Sequence, residues 1–354
     1  MRYDCTKPKY CCRVELPFPT IMDLGGQAVD HLVKASMAKN TWRKHFSGWN
    51  SLSSFESYSR TSCDWPLSLA NWSNYITWAL TVKNLKPDTV KSYIGSIKLA
   101  HTLRGVPCLN PLKEELIKLM LTGAENLRLS GSRGVIPTRR ACTLPLLKLL
   151  GHRIAGQAWP EGSKQTVWAA LTTGFFASVR LGEILAEQDW AFDPMGTLLW
   201  ENVMFKPNGS ILIHIRQPKV GKLQGDFLDL FPFVESGCCP VASLKRLKNL
   251  QIQGGQFKEN LPVFAFPSGC LLTPSKLNTT LKMLLADLCT LGGNTISCHS
   301  FRAAIPTALA PCSPNPTSDT MCWGRWSSGS YRRYVRPNTA VKKDIFDRIK
   351  ISMS

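Results

Sequence analysis

The sequence predicts a mainly α-helical protein that contains a small antiparallel β-sheet. Apolar residues recur at helical spacing over most of the 354 residues. The period changes in residues 196–231, where the hairpin-type dipeptide Asn208-Gly209 precedes alternating isoleucines from Ile211 to Ile215. Helical spacing resumes after this stretch, so we expect the sheet to be an insert in a helical domain.

The chain is long enough for two domains, since a typical domain has roughly 150 residues. The first is expected to hold four amphipathic helices separated by proline-containing breaks. A basic stretch without apolar periodicity follows and is interpreted as a linker. The predicted division is an N-terminal tail at 1–24, a helical domain at 25–128, a basic linker at 129–141, a second domain at 142–338 and a C-terminal helix at 339–354.

The third helix of the first domain has the clearest signal. Pro87 suits a first-turn position, and apolar residues between Val90 and Ile97 recur at helical spacing. Lys91 and Lys98 belong to the opposite face. Taken alone, these lysines have two interpretations that stay open: a solvated helix face, or a surface that contacts phosphates.

Two stretches near the end of the second domain are unusual for helices. Residues 300–310 have helical spacing, although Pro306 lies deep inside the segment. The following "CSPNPTSDTMC", residues 312–322, is rich in Pro, Ser and Thr. We therefore expect a connection here that is less helical.

The charge balance favours a polyanionic partner. Lysine and arginine outnumber aspartate and glutamate by 43 to 24, a formal net charge of +19. Nucleic acid is the first candidate. An anionic membrane surface is the rival, but we find no apolar run of about 18 residues and no basic amphipathic helix with an aromatic face. A cationic strap along phosphates would suit the linker region, which carries Arg128, Arg133, Arg139 and Arg140.

Cysteine usage indicates reduced thiols. The thirteen cysteines are odd in number and include the adjacent pairs Cys11-Cys12 and Cys238-Cys239. There is no CxxC pair and no Cys/His ligand spacing, so a structural zinc site is not expected. The charged, proline-interrupted N-terminus lacks the apolar stretch of a secretory signal.

Two local motifs contain residue types that suit reactions at a phosphodiester. In "SVRLGEILA", Arg180 has apolar neighbours and is followed by Glu183 three residues later; a charge in such surroundings is usually paired or functional. In "HSFRAA", His299 and Arg302 are three residues apart and share one helical face. Arginine suits non-bridging phosphate oxygens, and histidine or lysine suits proton transfer. Each motif alone is weak.

The order of the motifs makes the signal specific. "SVRLGEILA", a sheet, "HSFRAA" and "GRWSSGSYRRYVR" follow one another. This series resembles the tyrosine recombinases, the phage-integrase superfamily, and within it is most similar to eukaryotic mobile-element recombinases of the Crypton and DIRS/Ngaro kind. The resemblance covers most of the chain. It implies a four-helix, SAM-like core-binding domain followed by a mixed α+β tyrosine-recombinase catalytic domain.

The resemblance also implies roles for individual residues. Arg180 and Arg302 would bind the non-bridging oxygens, and His299 would accept and donate protons beside the phosphate. Lys219, with Lys222 as the alternative, would protonate the departing 5′ oxygen. Trp326 would donate its indole N–H to the phosphate. The expected DNA-binding residues are Lys91, Lys98, Arg128, Arg133, Arg139, Arg140, Arg325 and Arg333.

Two tyrosines compete for the role of nucleophile. The family places its nucleophile eight or nine residues after the position of Trp326; Tyr334 lies eight residues after it and Tyr331 five. Tyr334 is therefore the expected nucleophile, and Tyr331 is expected to pack or position the segment. An ordinary phenol has a pKa near 10, so its activation would depend on nearby arginines and a positioned base.

The resemblance implies a site-specific recombinase or integrase of a mobile element that cuts and rejoins DNA through a 3′-phosphotyrosyl intermediate, without metal, ATP or other cofactor. The implied partners are double-stranded DNA and further copies of the chain, as a tetramer formed by exchange of the C-terminal helix. The implied location is the nucleus of a eukaryotic host. Two alternatives stay open: an inactive, domesticated DNA-binding protein derived from such an enzyme, and a type IB topoisomerase.

Overall fold

The computed structural model describes residues 26–131, 141–218, 225–233, 237–289, 296–312 and 316–325. The chain divides into two compact units, Met1–Gly134 and Val135–Ser354. The described residues are mostly helical, with a single antiparallel sheet of three strands, which confirms the predicted fold class.

The described part of the first unit is a bundle of helices. Their bounds are α1 (Gly26–Ala35), α2 (Lys39–Ser59), α3 (Leu69–Thr81), α4 (Pro87–Leu103) and α5 (Glu115–Gly131). This is one helix more than the four expected. The segment expected as one helix breaks at Ala38, which is extended, and the Trp42 indole N–H donates to the Lys34 carbonyl at the end of α1. This bond satisfies a helix-terminal carbonyl, which spacing alone does not reveal.

The core of the first unit lies between α2, α3, α4 and α5. Trp72, Tyr75 and Ile76 of α3 are fully buried, as are the apolar residues of α4 at Val90, Ile94 and Ile97. The predicted face of α4 is therefore confirmed. On its other face Lys91 is exposed and lies 3.3 Å from Asp88, whereas Lys98 is half-buried.

The last helix of this unit extends further than expected. α5 continues to Gly131, so residues 129–131, which the sequence assigned to the linker, are helical. Arg128 is exposed in its last turn. The other three predicted linker arginines, Arg133, Arg139 and Arg140, lie outside the described residues.

The second unit is helical with the sheet inserted after its second helix. Its elements are α6 (Leu144–Ala155), α7 (Glu161–Phe176), β1 (Val203–Phe205), β2 (Ile211–Ile215), β3 (Asp226–Leu230), α8 (Pro240–Gln253), α9 (Pro274–Leu284), α10 (Ala286–Cys289), α11 (Cys298–Arg302), α12 (Ala304–Cys312) and α13 (Pro316–Gly324).

Helix α7 is the centre of this unit. Nearly every residue from Gln165 to Phe175 is buried, and the helix contacts α6, α8, α11 and α12. A helix that is buried on all sides belongs to the middle of a core. α7 is therefore a rigid support for whatever follows its C-terminal end at Phe176.

The sheet has the order β1-β2-β3, with both pairs antiparallel. The turn between β1 and β2 contains Asn208 and Gly209, and Gly209 has a φ of +82°, which glycine adopts at little cost. Ile211, Ile213 and Ile215 face the core, so the predicted alternation is confirmed.

Pro306 is accommodated because the segment 300–310 is two helices rather than one. α11 ends at Arg302 and α12 starts at Ala304, so Pro306 occupies the first turn of α12, where no backbone N–H is needed. The expectation of a less helical connection at 312–322 is wrong for most of this stretch, because helix α13 (Pro316–Gly324) includes residues 316–322; residues 313–315 lie outside the described residues.

No helix among the described residues is long and apolar enough to cross a membrane. Eight cysteines whose side chains the structure describes are free thiols: Cys63, Cys108, Cys142, Cys238, Cys239, Cys270, Cys298 and Cys322. The reduced state of the whole set stays a prediction.

Two helical glycines provide a test of the α2–α4 contact. A Cβ on Gly48 would lie 2.5 Å from the Ser96 Cβ, whereas a Cβ on Gly95 would meet no atom within 4 Å. We expect Gly48→Ala to lower the free energy of unfolding by about 1–3 kcal/mol, because the helices must separate. Gly95→Ala should raise it by up to about 1 kcal/mol through helix propensity. Urea unfolding of the full chain, followed by circular dichroism, measures both; equal effects of the two variants would contradict the described packing.

Candidate active site

The HxxR motif forms the short helix α11. The Cys298 backbone N–H donates to the Asn278 side chain at 2.8 Å, and the Ser297 backbone N–H donates to the Ser300 hydroxyl oxygen at 3.1 Å. Phe301 is fully buried and fixes the helix in the core. His299 is half-buried and Arg302 is only 2% exposed. The predicted pair is thus presented by a helix whose start and inner face are both fixed.

Arg302 joins three segments that are far apart in sequence. Its Nη1 donates to the carbonyl of Ser178, and its Nη2 donates to the carbonyl of Gly324 at 2.6 Å. Ser178 follows α7, and Gly324 ends α13. A buried arginine must have hydrogen-bond partners to offset desolvation, and here backbone carbonyls supply them.

The Ser178–Arg302 contact is reciprocal. The Ser178 hydroxyl donates to the Arg302 carbonyl at 3.0 Å, and the residue is fully buried. Ser178 also has a φ of +49°, in the left-handed region that non-glycine residues seldom adopt. Such a conformation persists where the surrounding contacts over-determine it, as the two hydrogen bonds do here.

Arg180 lies two residues further on, directly before the helical turn Leu181–Glu183. Its Nη1 lies 3.0 Å from Glu183 Oε1, and its side chain is 24% exposed against 6% for Glu183. The pairing three residues apart is the one the sequence suggested. Because Arg180 keeps a solvent-accessible surface, it can receive an anion beside its carboxylate partner.

A second arginine pairs with Glu183. Arg325 Nη2 lies 3.2 Å from Glu183 Oε2, and Arg325 Nη1 lies 2.8 Å from Asp226 Oδ2, at the start of β3. The Arg325 side chain is 10% exposed. Predicted as a DNA-binding residue, Arg325 is engaged with two carboxylates in the described structure.

Two further contacts fix the segment before Arg325. The Trp323 indole N–H donates to the Phe176 carbonyl at 2.8 Å, at the end of α7. One residue on, the Gly324 carbonyl accepts from Arg302. The segment that leads into the "GRW" motif is thus bound to the end of α7 and to Arg302, which the order of the sequence alone does not specify.

Cys298 neighbours His299 but is unsuited to act as a rival nucleophile. Burial raises the pKa of its thiol to about 12, so the thiolate is not populated at neutral pH. Among the described residues there is also no cluster of three or more His, Cys, Asp or Glu side chains that could hold a metal ion.

Of the predicted catalytic residues, Arg180, His299 and Arg302 are described, and their segments converge. Lys219, its alternative Lys222, Trp326, Tyr331, Tyr334 and Arg333 lie outside the described residues. Sequence reasoning missed Ser178, Asp226 and the Gly324 carbonyl as parts of the site. Ser178 had a weak signal, as a polar residue in an apolar motif, whereas Asp226 had none.

The structural use of Arg302 predicts a difference in stability. Arg302→Ala leaves two carbonyls without their charged donor and should lower the free energy of unfolding by about 3 kcal/mol. Arg180→Ala removes a cation that is 24% exposed and leaves the buried Glu183 carboxylate paired with Arg325, so it should cost less, about 1 kcal/mol. Urea unfolding of both variants measures this difference; an Arg302→Ala variant as stable as Arg180→Ala would rule out the carbonyl contacts.

Comparison with known proteins bears on the fold. No family model and no curated protein matches the chain. The Tn1549 transposon integrase in complex with transposon right end DNA is 15% identical, with 91% of this chain and 98% of that chain covered and a TM-score of 0.56. A lambda integrase dimer bound to a COC′ core site is 9% identical, with coverage of 88% and 75% and a TM-score of 0.53.

The XerH site-specific recombinase bound to palindromic difH substrate is 11% identical, covers 79% of this chain and 69% of that chain, and has a TM-score of 0.51. Identities this low establish a shared fold and no more. The fold of this chain is therefore that of the tyrosine recombinases and integrases.

Proposed function

We propose that this chain is a site-specific DNA recombinase that cuts and rejoins DNA through a phosphotyrosyl intermediate. The observation that carries the proposal is the convergence on Arg302 of three motif segments distant in sequence. Arg302 of "HSFRAA" binds the backbone at Ser178, next to Arg180, and at Gly324, which opens the "GRW" motif. Convergence of these motifs is what a shared phosphate site requires.

DNA is the substrate that charge and fold both support. The formal net charge of +19 favours a polyanion. Two of the proteins with this fold are described with DNA: the Tn1549 integrase with transposon right end DNA and lambda integrase with a core site. By analogy we assign DNA contacts to the exposed cations Lys91 and Arg128, and to Lys98.

In the proposed reaction the Tyr334 phenolic oxygen attacks the scissile phosphorus. The new O–P bond forms as the bond from phosphorus to the 5′ oxygen breaks. His299 accepts the phenol proton, and Lys219 gives a proton to the departing oxygen, which leaves as a 5′-hydroxyl. The hydroxyl of a partner strand then reverses the step and releases the tyrosine.

The arginines would stabilise the transition state. Arg180 and Arg302 are proposed to donate to the two non-bridging oxygens, where negative charge develops, and the Trp326 indole would add a further donor. Since the adduct keeps the phosphodiester bond energy, the proposed cycle uses neither metal nor ATP.

The mobile-element origin, the affinity to the Crypton and DIRS/Ngaro recombinases and the nuclear location are also proposals. The first two rest on the "GRWSSGSYRRYVR" motif, and the nuclear location rests only on the proposed DNA partner. The division into a core-binding domain, a basic linker, a catalytic domain and a C-terminal helix is likewise a proposal, and it rests on the pattern along the chain and the resemblance.

A catalytically silent DNA-binding protein is the second candidate. It is favoured by the structural use of two key arginines, because Arg302 binds carbonyls and Arg325 binds carboxylates in the described structure. The two candidates differ in one product, a covalent protein–DNA adduct.

Nicked duplexes test the chemistry and the nucleophile together. They are drawn from DNA that flanks the gene, so that a cleaved strand loses its rejoining partner and the protein stays attached. We expect wild type and Tyr331→Phe to form an adduct in the presence of EDTA, and Tyr334→Phe to form none, because a phenyl ring has no nucleophilic oxygen. Denaturing gels and mass spectrometry of the adduct provide the measurement.

If only Tyr331→Phe lost the adduct, the proposed reaction would stand and the nucleophile would be Tyr331 instead of Tyr334. No adduct with any protein, despite confirmed binding to the duplexes, would favour the silent DNA-binding protein. A requirement for magnesium would contradict the proposed mechanism.

The segment after the nucleophile is proposed to dock on a neighbouring copy of the chain. Val341, Ile345 and Ile349 recur at a spacing of four residues, which suits one apolar helix face. Truncation after Asn338 should leave single-site DNA binding intact and abolish tetramers on DNA. Light scattering and gel-shift titration measure this; unchanged assembly would indicate that the segment covers its own domain.

A further inference from the structure

We infer that Arg325 is a positioning residue that aligns the two phosphate-binding arginines, Arg180 and Arg302. The inference rests on the proposed function for its chemistry and on described contacts for its geometry. The sequence predicted that Arg325 contacts DNA; the inference assigns it a different role.

The side chain of Arg325 acts on Arg180 through Glu183. The two oxygens of Glu183 are divided between the arginines, with Oε1 at 3.0 Å from Arg180 and Oε2 at 3.2 Å from Arg325. Glu183 is only 6% exposed, so it cannot turn freely to another partner. Holding one oxygen of Glu183 therefore orients the other oxygen, and with it the Arg180 guanidinium.

The backbone at Arg325 acts on Arg302. Arg325 has a φ of +58°, a left-handed conformation, directly after the Gly324 carbonyl that accepts from Arg302 Nη2. A non-glycine residue holds this conformation only where its contacts fix it, and the two ion pairs of the Arg325 side chain supply that restraint. Release of the side chain would let the Gly324 carbonyl turn away.

Asp226 is the anchor of this arrangement. It is the first residue of β3 and pairs with Ile215 in the ladder, so its backbone is fixed by the sheet. Its carboxylate lies 2.8 Å from Arg325 and its side chain is 13% exposed. The Arg325 guanidinium thus connects the turn that contains Arg180 and the end of α13 to β3, an edge strand of the sheet.

Burial argues against DNA contact as the primary role of Arg325. Its side chain is 10% exposed and faces two carboxylates. A phosphate oxygen would have to displace one carboxylate in a poorly solvated site, which costs more than contact with an exposed cation. Arg128, also predicted to bind DNA, is by contrast exposed.

Three variants of the full chain test the inference on the nicked duplexes described above. Arg325→Gln removes both ion pairs, and Asp226→Asn removes the anchor but keeps the Arg325 charge. Asp229→Asn is the matched control, because it neutralises a carboxylate of the same strand that pairs with Lys206 and is 45% exposed. We expect the first two to slow adduct formation by about tenfold or more through misplaced arginines, and the control to react like wild type.

A second substrate separates positioning from general damage to the fold. A methylphosphonate at the scissile position is neutral, so its transition state has one negative charge fewer and depends less on the arginines. We expect Arg325→Gln and Asp226→Asn to lose much less activity on this substrate. The double variant should lose no more than Arg325→Gln alone, because both changes act through one contact. Equal losses on both substrates would overturn the inference.

The change in DNA affinity caused by Asp226→Asn also decides whether Arg325 positions the other arginines or binds a phosphate. If Arg325 bound a phosphate, Asp226→Asn would release its guanidinium and strengthen DNA binding. Arg325→Gln would then reduce the slope of affinity against salt concentration by the amount expected for about one phosphate contact. Either result would overturn the positioning role.

Hydrogen exchange gives a readout that needs no chemistry. The backbone amides of residues 178–183 and of Arg325 should exchange faster in Arg325→Gln and Asp226→Asn than in wild type and Asp229→Asn. If these amides exchange faster in the two variants but wild type forms no adduct, the contacts of Arg325 are upheld and the proposed function is refuted. Unchanged exchange would overturn the inference whether or not wild type reacts.

Discussion

The site depends on the burial of one guanidinium. Arg302 is 2% exposed and donates to the backbone at Ser178 and at Gly324. A charge in such a place is tolerated only with good hydrogen-bond partners, and carbonyl groups of two distant segments, after α7 and at the end of α13, provide them. These two segments fix the arginine, and the arginine in turn holds the two segments together.

Around this point the structure places a small, balanced group of charges. Arg180 and Arg325 share Glu183, and Arg325 also reaches Asp226. In a chain with a formal net charge of +19, carboxylates among the arginines of the site have a clear physical use. They reduce the repulsion between neighbouring guanidinium groups and set the orientation of each.

The supports of this group come from different kinds of structure. α7 is buried along nearly its whole length and ends at Phe176, whose carbonyl receives the Trp323 indole. The sheet contributes Asp226 at the start of β3. Because a central helix and a hydrogen-bonded ladder both resist displacement, side chains fixed by them can hold a geometry that a loop alone would not hold.

Local pattern was enough for the fold class and for part of the site. The alternation at Ile211–Ile215 gave the central strand of the sheet, and the spacing from Val90 to Ile97 gave the buried face of α4, since these periods reflect which side chains face a core. The Arg180–Glu183 pair also followed from spacing. Motif order suggested the recombinase fold, which the structural neighbours share.

Tertiary structure decided what no local period records. The break at Ala38 depends on Trp42, and the break before α12 places Pro306 in a first turn. The pairing of Arg325 with Asp226 joins residues 99 positions apart, and the burial of Arg302 depends on a carbonyl 124 positions away. The sequence by itself therefore determined the elements and the candidate residues. Only packing decided which arginine keeps an exposed surface and which ones are buried against carbonyls and carboxylates, because desolvation and hydrogen-bond partners are properties of the folded chain.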